Sequence, residues 1–249
     1  MKTLLLDIET SPTVSYVWGT RLFNVFVNDQ MIVEPTRMLC WAAKWLGELT
    51  IYSAGEWHGR KTMLKALHKL VSEADVVVTH NGKRFDIPHI NREFLLAGMD
   101  PPPPYKQVDT KEVVKRTFKF DHNGLDPLVK QLELGAKLDH GLGIELWKRV
   151  LAKDKEAQTI MRDYNIQDVV ILEKLYTKIR PWIEKHPNHG AYDEKQCCPK
   201  CGSTTFQRRG TAVTNIARYV RYQCKACGGW FRSSINLRPS GDKLRNVNP

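Results

Sequence analysis

Hydrophobic and polar residues follow spacings typical of strands and helices along most of the chain. An apolar run over residues 3–9 ends in acidic residues and predicts a first strand. Strands are also predicted over 38–45 and 49–54, because a Leu-Gly-Glu turn separates two strand-forming runs. Leucines at helical spacing predict a helix near 60–73, and a short apolar run predicts a buried strand over 74–79.

The pattern becomes mainly helical after this point. A helix is predicted over 85–97, ending at a glycine and a four-proline break, and a short strand over 107–109 follows it. Further helices are predicted near 110–117, 124–134, 142–152 and 154–185. A strand meander followed by crossover units predicts an α/β fold, a mixed five-stranded sheet flanked by helices. Residues 13–36, with Trp18, Arg21 and Phe23, form an insertion that either lines a substrate channel or extends the sheet.

Composition narrows the class of protein. With 249 residues, 42% hydrophobic and 26% charged, the chain is expected to be globular. Its apolar runs are far shorter than the about 20 residues that span a bilayer, and no secretion signal opens it, so we expect no membrane partner and a cytoplasmic location. The net charge is +11, and residues 190–249 carry 11 Lys and Arg against 3 Asp and Glu. Such a basic segment either binds nucleic acid or only improves solubility.

Five of the six cysteines fall in the last 53 residues. Cys198 and Cys201 form one Cys-x-x-Cys pair, and Cys224 and Cys227 form another, with 22 residues between the pairs. Four thiolates in this arrangement typically hold one structural Zn²⁺, so a zinc-ribbon β domain is predicted. Cys197 competes with Cys198 as the first ligand, and the two-residue spacing favours Cys198.

Asp7 and Glu9 end the first predicted strand. Residues two apart on a strand point to the same face, and α/β sheets place ligands at the carboxyl ends of their strands. Phosphodiester hydrolysis commonly uses two divalent cations, and hard cations such as Mg²⁺ prefer oxygen ligands. The pair is therefore a candidate metal site, although a solvated strand end would have the same sequence.

Three motifs in order resemble those of the DnaQ-like 3′→5′ exonuclease superfamily. They are Leu6-Asp7-Ile8-Glu9-Thr10, His80-Asn81-Gly82-Lys83-Arg84-Phe85-Asp86 and Tyr164-Asn165-Ile166-Gln167-Asp168. The Tyr-x-x-x-Asp form belongs to the DEDDy branch, and Asn-x-x-x-Phe-Asp is similar to the proofreading domains of family B DNA polymerases. The resemblance covers roughly residues 1–185 and implies an RNase H-like fold.

The resemblance also implies roles for single residues. Asp7 would bridge two Mg²⁺ or Mn²⁺ ions. Glu9 and Asp168 would be the further ligands of the first ion, and Asp86 would hold the second ion directly or through water. The Tyr164 hydroxyl and Glu9 would hold the attacking water. The sister branch places a histidine five residues before the last aspartate, where this chain has Asp163, so a histidine base is excluded. Taken from the residues alone, Asp86 could instead cap the following helix.

Candidate nucleic-acid contacts are polar or aromatic residues near the second motif and in the cysteine-rich segment. They are Asn81, Lys83, Arg84, Arg208, Arg209, Arg218, Arg221, Trp230 and Arg232. Arginines bind phosphates and aromatic rings stack on unpaired bases, which suits a single strand. The alternatives are solvated charges near the motif, and a small aromatic core or a protein-docking surface in the ribbon.

These features together predict a two-metal 3′→5′ exonuclease acting on DNA, with single strands favoured. The predicted organisation is an exonuclease domain over 1–185, a linker over 186–194, and a four-cysteine zinc ribbon with a basic tail over 195–249. Two other functions stay open, namely a 3′→5′ exoribonuclease and a non-catalytic nucleic-acid-binding accessory protein of replication. The nuclease would be free-standing or would serve a replication or repair polymerase in trans.

Overall fold

The computed structural model describes residues 1–19 and 26–238. The strands are β1 (Thr3–Thr10), β2 (Val14–Ser15), β3 (Ile32–Glu34), β4 (Met38–Trp45), β5 (Ile51–Gly55), β6 (Val76–Thr79), β7 (Lys106–Asp109), β8 (Phe206–Val213), β9 (Arg218–Cys224) and β10 (Trp230–Asn236). The α-helices are α1 (Arg60–Ser72), α2 (Asp86–Leu96), α3 (Thr110–Thr117), α4 (Leu125–Gln131), α5 (Ile144–Leu151) and α6 (Lys155–Ile179). The chain divides into two compact units, one holding Lys2–Leu175 and the other Met1 with the chain from Tyr176 onward.

The first unit is built on a five-stranded sheet in the order β5-β4-β1-β6-β7. The central strand β1 pairs in parallel with β6 and antiparallel with β4, and β6 pairs in parallel with β7. Leu4, Leu5 and Leu6 of β1 are fully buried, as expected for a strand covered on both faces. The predicted mixed five-stranded sheet with flanking helices is confirmed.

Helices cover the two faces of this sheet separately. One core joins alternate residues of β1 to α1 and α2 and includes Leu4, Leu6, Ile8, Met63, Leu67, Ile90 and Phe94. A second core joins β4 to α5 and α6 and includes Leu39, Cys40, Leu146, Val150, Ala157 and Met161. Since strand side chains alternate, Asp7 and Glu9 point away from the face of Leu6 and Ile8. The acidic pair therefore lies on the face that α6 crosses.

The end of α6 differs from the prediction. The apolar periodicity predicted a helix over 154–185, but α6 ends at Ile179 and a short 3-10 helix follows over Arg180–Trp182. Pro181 explains the difference. Proline has no backbone N–H to donate and its ring disfavours helical backbone in the residue before it.

The described part of the 13–36 insertion forms its own two-stranded sheet. β2 and β3 pair antiparallel and are not strands of the five-stranded sheet, so this part does not extend it. Trp18 is 96% exposed. Arg21 and Phe23 lie outside the described residues.

The second unit contains a three-stranded antiparallel sheet in the order β10-β9-β8. Its strands fall in the segment where the sequence predicted a zinc ribbon. The domain boundaries proposed at 185 and 195 stay predictions. None of the helices in the described residues combines the length and apolar character needed to cross a bilayer.

Candidate active site and cysteine cluster

Four predicted acidic residues converge at one end of β1. Carboxylate oxygens of Asp7, Glu9 and Asp168 all lie within 4.8 Å of one another. Asp7 and Glu9 come from the same face of β1, and Asp168 comes from the middle of α6. Asp86 does not cap α2 but is its first residue, and its Oδ1 accepts a hydrogen bond from the Ile8 N–H at 3.2 Å. The fold therefore brings together acids that lie up to 161 positions apart in the sequence.

Burial makes the ionised forms of these acids costly. It raises the pKa of Glu9 to about 8, with the negative charge of Asp168 adding to the effect. Burial likewise raises the pKa of Asp86 to about 7. The pKa of Asp7 is raised well above its usual range by burial and then by the charges of Asp86, Asp168 and Glu9. Clustered carboxylates of this kind need a positive counter-charge to ionise together.

The donor set fits a hard divalent cation. Three carboxylates offer converging oxygens, which is the ligand chemistry that Mg²⁺ and Mn²⁺ prefer. Asp168 Oδ1 is buried and has no hydrogen-bond partner among the described residues. Because an unpaired buried carboxylate oxygen is costly, a cation at this position would satisfy it. Asp7, Glu9 and Asp168 could hold one ion, and Asp7 with Asp86 could contribute to a second.

A lysine that the sequence patterns did not indicate supplies positive charge here. Lys137 Nζ donates hydrogen bonds to Asp168 Oδ2 and, at 3.1 Å, to the Tyr164 hydroxyl. Burial alone would lower the pKa of Lys137, but the Asp168 carboxylate and the hydrogen bonds raise it overall. The Lys137 N–H donates to Asp126 Oδ1 at 3.1 Å. Gly124 is the N-cap residue of α4, so Asp126 is not a helix cap and instead fixes the loop that carries Lys137.

Tyr164 lies one helical turn before Asp168, as predicted, so both side chains project from one face of α6. The Tyr164 ring packs edge-on against His140 with ring centroids 5.3 Å apart, and His140 packs edge-on against Trp147 at 6.0 Å. The Trp147 indole N–H donates to the Thr10 carbonyl oxygen at 3.0 Å. The orientation of Tyr164 is thus set by a chain of ring contacts that is anchored to the end of β1.

A second residue missed by the sequence reasoning is Asn165. It is fully buried, and its amide Nδ2 donates to Asp7 Oδ2 at 2.7 Å. Its Oδ1 accepts a weak hydrogen bond from the Cys40 thiol at 3.9 Å. Its position three residues before Asp168 on the same helix face could have indicated it, because i and i+3 residues are neighbours. Asn165 therefore fixes the orientation of the Asp7 carboxylate.

The loop of the second motif is held by Asp109, which is also the N-cap residue of α3. The Asp109 carboxylate accepts from the backbone N–H of Asn81 at 2.9 Å and of Lys83 at 3.2 Å. A Cβ on Gly82 would lie 2.3 Å from Thr79 Oγ1, so only glycine fits at this position. These contacts fix the backbone that leads into α2 and place Asp86 beside β1.

The polar residues of this loop differ in environment. Asn81 is half-buried with a backbone φ of 74°, Lys83 Nζ pairs with Glu112 at 2.7 Å, and Arg84 is exposed. His80 is a packing residue. Its ring nitrogens lie 2.9 Å from Thr110 Oγ1 and 3.0 Å from the Asn123 carbonyl oxygen, and burial lowers its pKa to about 4.

The four cysteines of the two Cys-x-x-Cys pairs form a second cluster. The Sγ atoms of Cys198, Cys201, Cys224 and Cys227 all lie within 4.8 Å of one another, and all are free thiols. Cys198 and Cys227 are 3.8 Å apart, and Cys201 and Cys224 are 3.6 Å apart. Tetrahedral zinc with Zn–S bonds of about 2.3 Å requires sulfurs about 3.8 Å apart, so the donor set fits Zn²⁺. Cys197 is outside this group, which favours Cys198 as the first ligand.

The candidate residues of the cysteine-rich segment all lie on strands of the three-stranded sheet. Each of them is exposed: Arg208, Arg209, Arg218, Arg221, Trp230 and Arg232.

Comparisons with known proteins agree with the fold of the first unit. A family model described as the RNase H superfamily matches residues 39–180, a span that begins after Asp7 and Glu9. No curated protein matches the chain. The chain is similar to the family B DNA polymerase from the hyperthermophilic archaeon Pyrobaculum calidifontis, with a TM-score of 0.52 and 15% identity. The match covers 73% of this chain and 25% of the polymerase, so it supports the expected RNase H-like fold alone.

Proposed function

Because the chain belongs to the RNase H superfamily, we propose that it is a metal-dependent 3′→5′ exonuclease of the DEDDy type. The observation that carries the proposal is the convergence of Asp7, Glu9 and Asp168, with carboxylate oxygens within 4.8 Å of one another. Asp86 adds a fourth carboxylate at the same end of β1, and Tyr164 adds a hydroxyl beside Asp168. This set of residues supplies each group that the two-metal hydrolysis of a phosphodiester requires.

The proposed roles are those that the motif resemblance implies. Asp7 would bridge two Mg²⁺ or Mn²⁺ ions, with Glu9 and Asp168 on the first ion and Asp86 on the second. When bound, the ions lower the pKa of the attacking water and neutralise charge on the phosphate. The Tyr164 hydroxyl, together with the Glu9 carboxylate, would orient the attacking water.

Two residues position this set without touching the reacting atoms. Asn165 holds one oxygen of Asp7 through its amide, which leaves the other oxygen to face the cluster. Lys137 holds the Asp168 carboxylate and the Tyr164 hydroxyl in a shared hydrogen-bond arrangement. Both contacts limit the rearrangement that the site needs before chemistry, which is the general advantage of a preorganised site.

We propose single-stranded DNA as the substrate and nucleic-acid binding as the role of the second unit, held by one Zn²⁺ on Cys198, Cys201, Cys224 and Cys227. The excess of basic residues in this segment supports a polyanionic ligand. Free thiols at zinc-binding distances suit a reducing compartment, so we place the protein in the cytoplasm. We further propose that it acts with a replication or repair polymerase in trans.

The test compares Asp7→Ala with the wild type and with Asp163→Ala. Asp163 lies on the same helix as Asp168 but is exposed and pairs with Arg162, so it is a matched control. We expect Mg²⁺ or Mn²⁺ to support degradation by the wild type and Asp163→Ala, and Asp7→Ala to lose at least about 100-fold in rate. Equal degradation by Asp7→Ala and the wild type would refute the proposal.

The same assay decides between substrates when labelled DNA and RNA strands are compared. A ladder from RNA but not from DNA would replace the DNA preference with a 3′→5′ exoribonuclease. Strand binding without any metal-dependent cleavage would indicate the non-catalytic accessory protein instead.

A further inference from the structure

The three-stranded sheet divides its aromatic and arginine side chains between two faces. Across the β9–β10 pair, Trp230 lies opposite Gln223, Phe231 opposite Tyr222, and Arg232 opposite Arg221. Side chains alternate along a strand and directly paired residues share a face. Phe231 and Tyr222 therefore lie on one face, and Trp230, Arg221 and Arg232 lie on the other.

The first face is the core of this unit. Phe206, Tyr222 and Phe231 pack against one another with ring centroids 5.3 to 5.7 Å apart. They also line a cavity together with residues of the segments 188–199 and 232–235 of the same unit. These three rings thus pack against one another, which agrees with the alternative of a small aromatic core in the ribbon.

The second face carries two stacked pairs, and we call Tyr219, Arg221, Trp230 and Arg232 the stacked face. The Arg232 guanidinium carbon lies 3.8 Å from the ring centroid of Tyr219, and that of Arg221 lies 5.2 Å from the ring of Trp230. Arg221 Nε also donates to the Arg209 carbonyl oxygen at 2.9 Å, which ties the side chain across to β8. Trp230 stays 49% exposed. The rings and guanidinium groups are therefore paired with each other on this face of the sheet.

Charge identifies the partner of this face. Residues 195–238 contain nine Lys and Arg and no Asp or Glu, so the ligand must be strongly anionic. Flat rings interleaved with guanidinium groups suit bases that stack and phosphates that pair with arginine. The bases of a duplex are already stacked on one another, and an acidic peptide does not offer a flat ring beside every negative charge, as a single strand of nucleic acid does.

We propose that the stacked face binds single-stranded nucleic acid, with bases on Trp230 and Tyr219 and phosphates on Arg221 and Arg232. This proposal rests on the proposed function, because it takes nucleic acid as the substrate. It also distinguishes the arginines that bind the strand from those on the other face of the sheet. Arg208 pairs with Tyr222 in register, and Arg218 lies an even number of residues from Tyr222, so both belong to the other face.

The test measures binding by the full chain carrying Asp7→Ala, without added Mg²⁺, to a fluorescent oligothymidylate by anisotropy. Arg221→Gln with Arg232→Gln should weaken binding about tenfold or more and lower the slope of log affinity against log salt by about 1.4, or about 0.7 for each phosphate. The control variant Arg208→Gln with Arg218→Gln also removes two positive charges, but from the other face, and should weaken binding less than about threefold. Equal losses in the two double variants would overturn the proposal, because they would indicate a diffuse basic surface.

Stacking is tested separately on Trp230. Trp230→Leu should weaken binding about tenfold, whereas Trp230→Phe should keep most of the affinity because it keeps a ring. Unchanged affinity in Trp230→Leu, or a duplex of equal length that binds as tightly as the single strand, would contradict the proposal. Circular dichroism of Trp230→Phe and Trp230→Leu should be the same, so that a loss specific to leucine reports the ring.

Failure of this inference is distinguishable from failure of the proposed function. Hydrolysis of bis(p-nitrophenyl) phosphate by the wild type, with and without Mn²⁺, tests the carboxylate site with an ester that has no bases to stack. Absent hydrolysis with intact strand binding would reject the nuclease and keep the stacked face. Hydrolysis of the ester without the predicted differences in strand binding would keep the nuclease and reject the stacked face as the binding surface.

Discussion

Replacement of Lys137 by methionine removes the ammonium group from the carboxylate cluster and keeps an unbranched apolar side chain that matches lysine as far as Cε. Lys137 pairs with Asp168, whose side chain is 2% exposed, while the Lys137 side chain is 27% exposed. Loss of one partner from a buried ion pair typically costs about 3–5 kcal/mol. Because Lys137 is partly exposed, we expect a cost below that range, about 2–3 kcal/mol in the free energy of unfolding of the metal-free protein at neutral pH.

The pH dependence of this cost has a defined sign. Burial raises the pKa of Asp168 in the folded protein, and the Lys137 ammonium partly opposes that rise. A raised folded pKa gives stability that is complete below the unfolded pKa and is lost as pH rises through the folded pKa. Removal of Lys137 raises the pKa of Asp168 further and so deepens that loss. The difference between Lys137→Met and the wild type should be small near about pH 4 and should grow toward neutral pH.

Urea unfolding of the full chain, with and without Mg²⁺, measures both effects. A cation in the cluster would replace the missing ammonium, so Mg²⁺ should stabilise Lys137→Met more than it stabilises the wild type. Lys148→Met is the control, because the Lys148 and Glu145 side chains are 64% and 56% exposed and their pair should contribute at most about 1 kcal/mol. The reasoning is refuted if Lys137→Met is as stable as Lys148→Met, or if Mg²⁺ stabilises Lys137→Met and the wild type equally.

Three further predictions follow from the site and the cysteine cluster. Burial raises the pKa of Glu9 to about 8 and that of Asp86 to about 7, so the metal-free protein should lose stability from pH 5 to 8. Mg²⁺ should reverse this loss. An unfolding free energy from urea titrations that does not change with pH would contradict the prediction. Cys201→Ser should lose bound zinc and Cys197→Ser should retain one equivalent by native mass spectrometry; zinc loss in both would reject the ligand assignment. Gly82→Ala puts a Cβ 2.3 Å from the Thr79 hydroxyl oxygen and should lower the unfolding free energy by about 1–3 kcal/mol in the same urea assay. Unchanged stability would contradict this prediction and would show that the loop adjusts.

Much of the fold was predictable because periodicity reports burial directly. The apolar run of β1 and the helical spacing of α1 depend only on which side chains face the core, and both elements form where they were predicted. The end of α6 was misplaced because the apolar pattern continues beyond Ile179, whereas the backbone is interrupted by Pro181. Local backbone chemistry decided that boundary, and the hydrophobic pattern did not.

The carboxylates of the site were predictable from motif order, but the residues that hold them were not. Lys137 lies in the loop between α4 and α5, where no periodicity constrains it, and only the folded chain brings it to Asp168. The same limit applies to the three-stranded sheet. Arg208 and Arg221 look equivalent in the sequence, and only the strand register assigns them to opposite faces.

The central claim is that the chain hydrolyses nucleic acid from the 3′ end, with its carboxylate cluster holding the metal that the reaction requires. The most direct measurement follows a 5′-labelled single-stranded DNA with a free 3′ hydroxyl in the presence of Mg²⁺, beside the same strand blocked at its 3′ end by phosphorothioate linkages. We predict a ladder that shortens one nucleotide at a time from the free strand, and little product from the blocked strand. Cleavage of both strands at internal positions, or no product that depends on the metal, would contradict the claim.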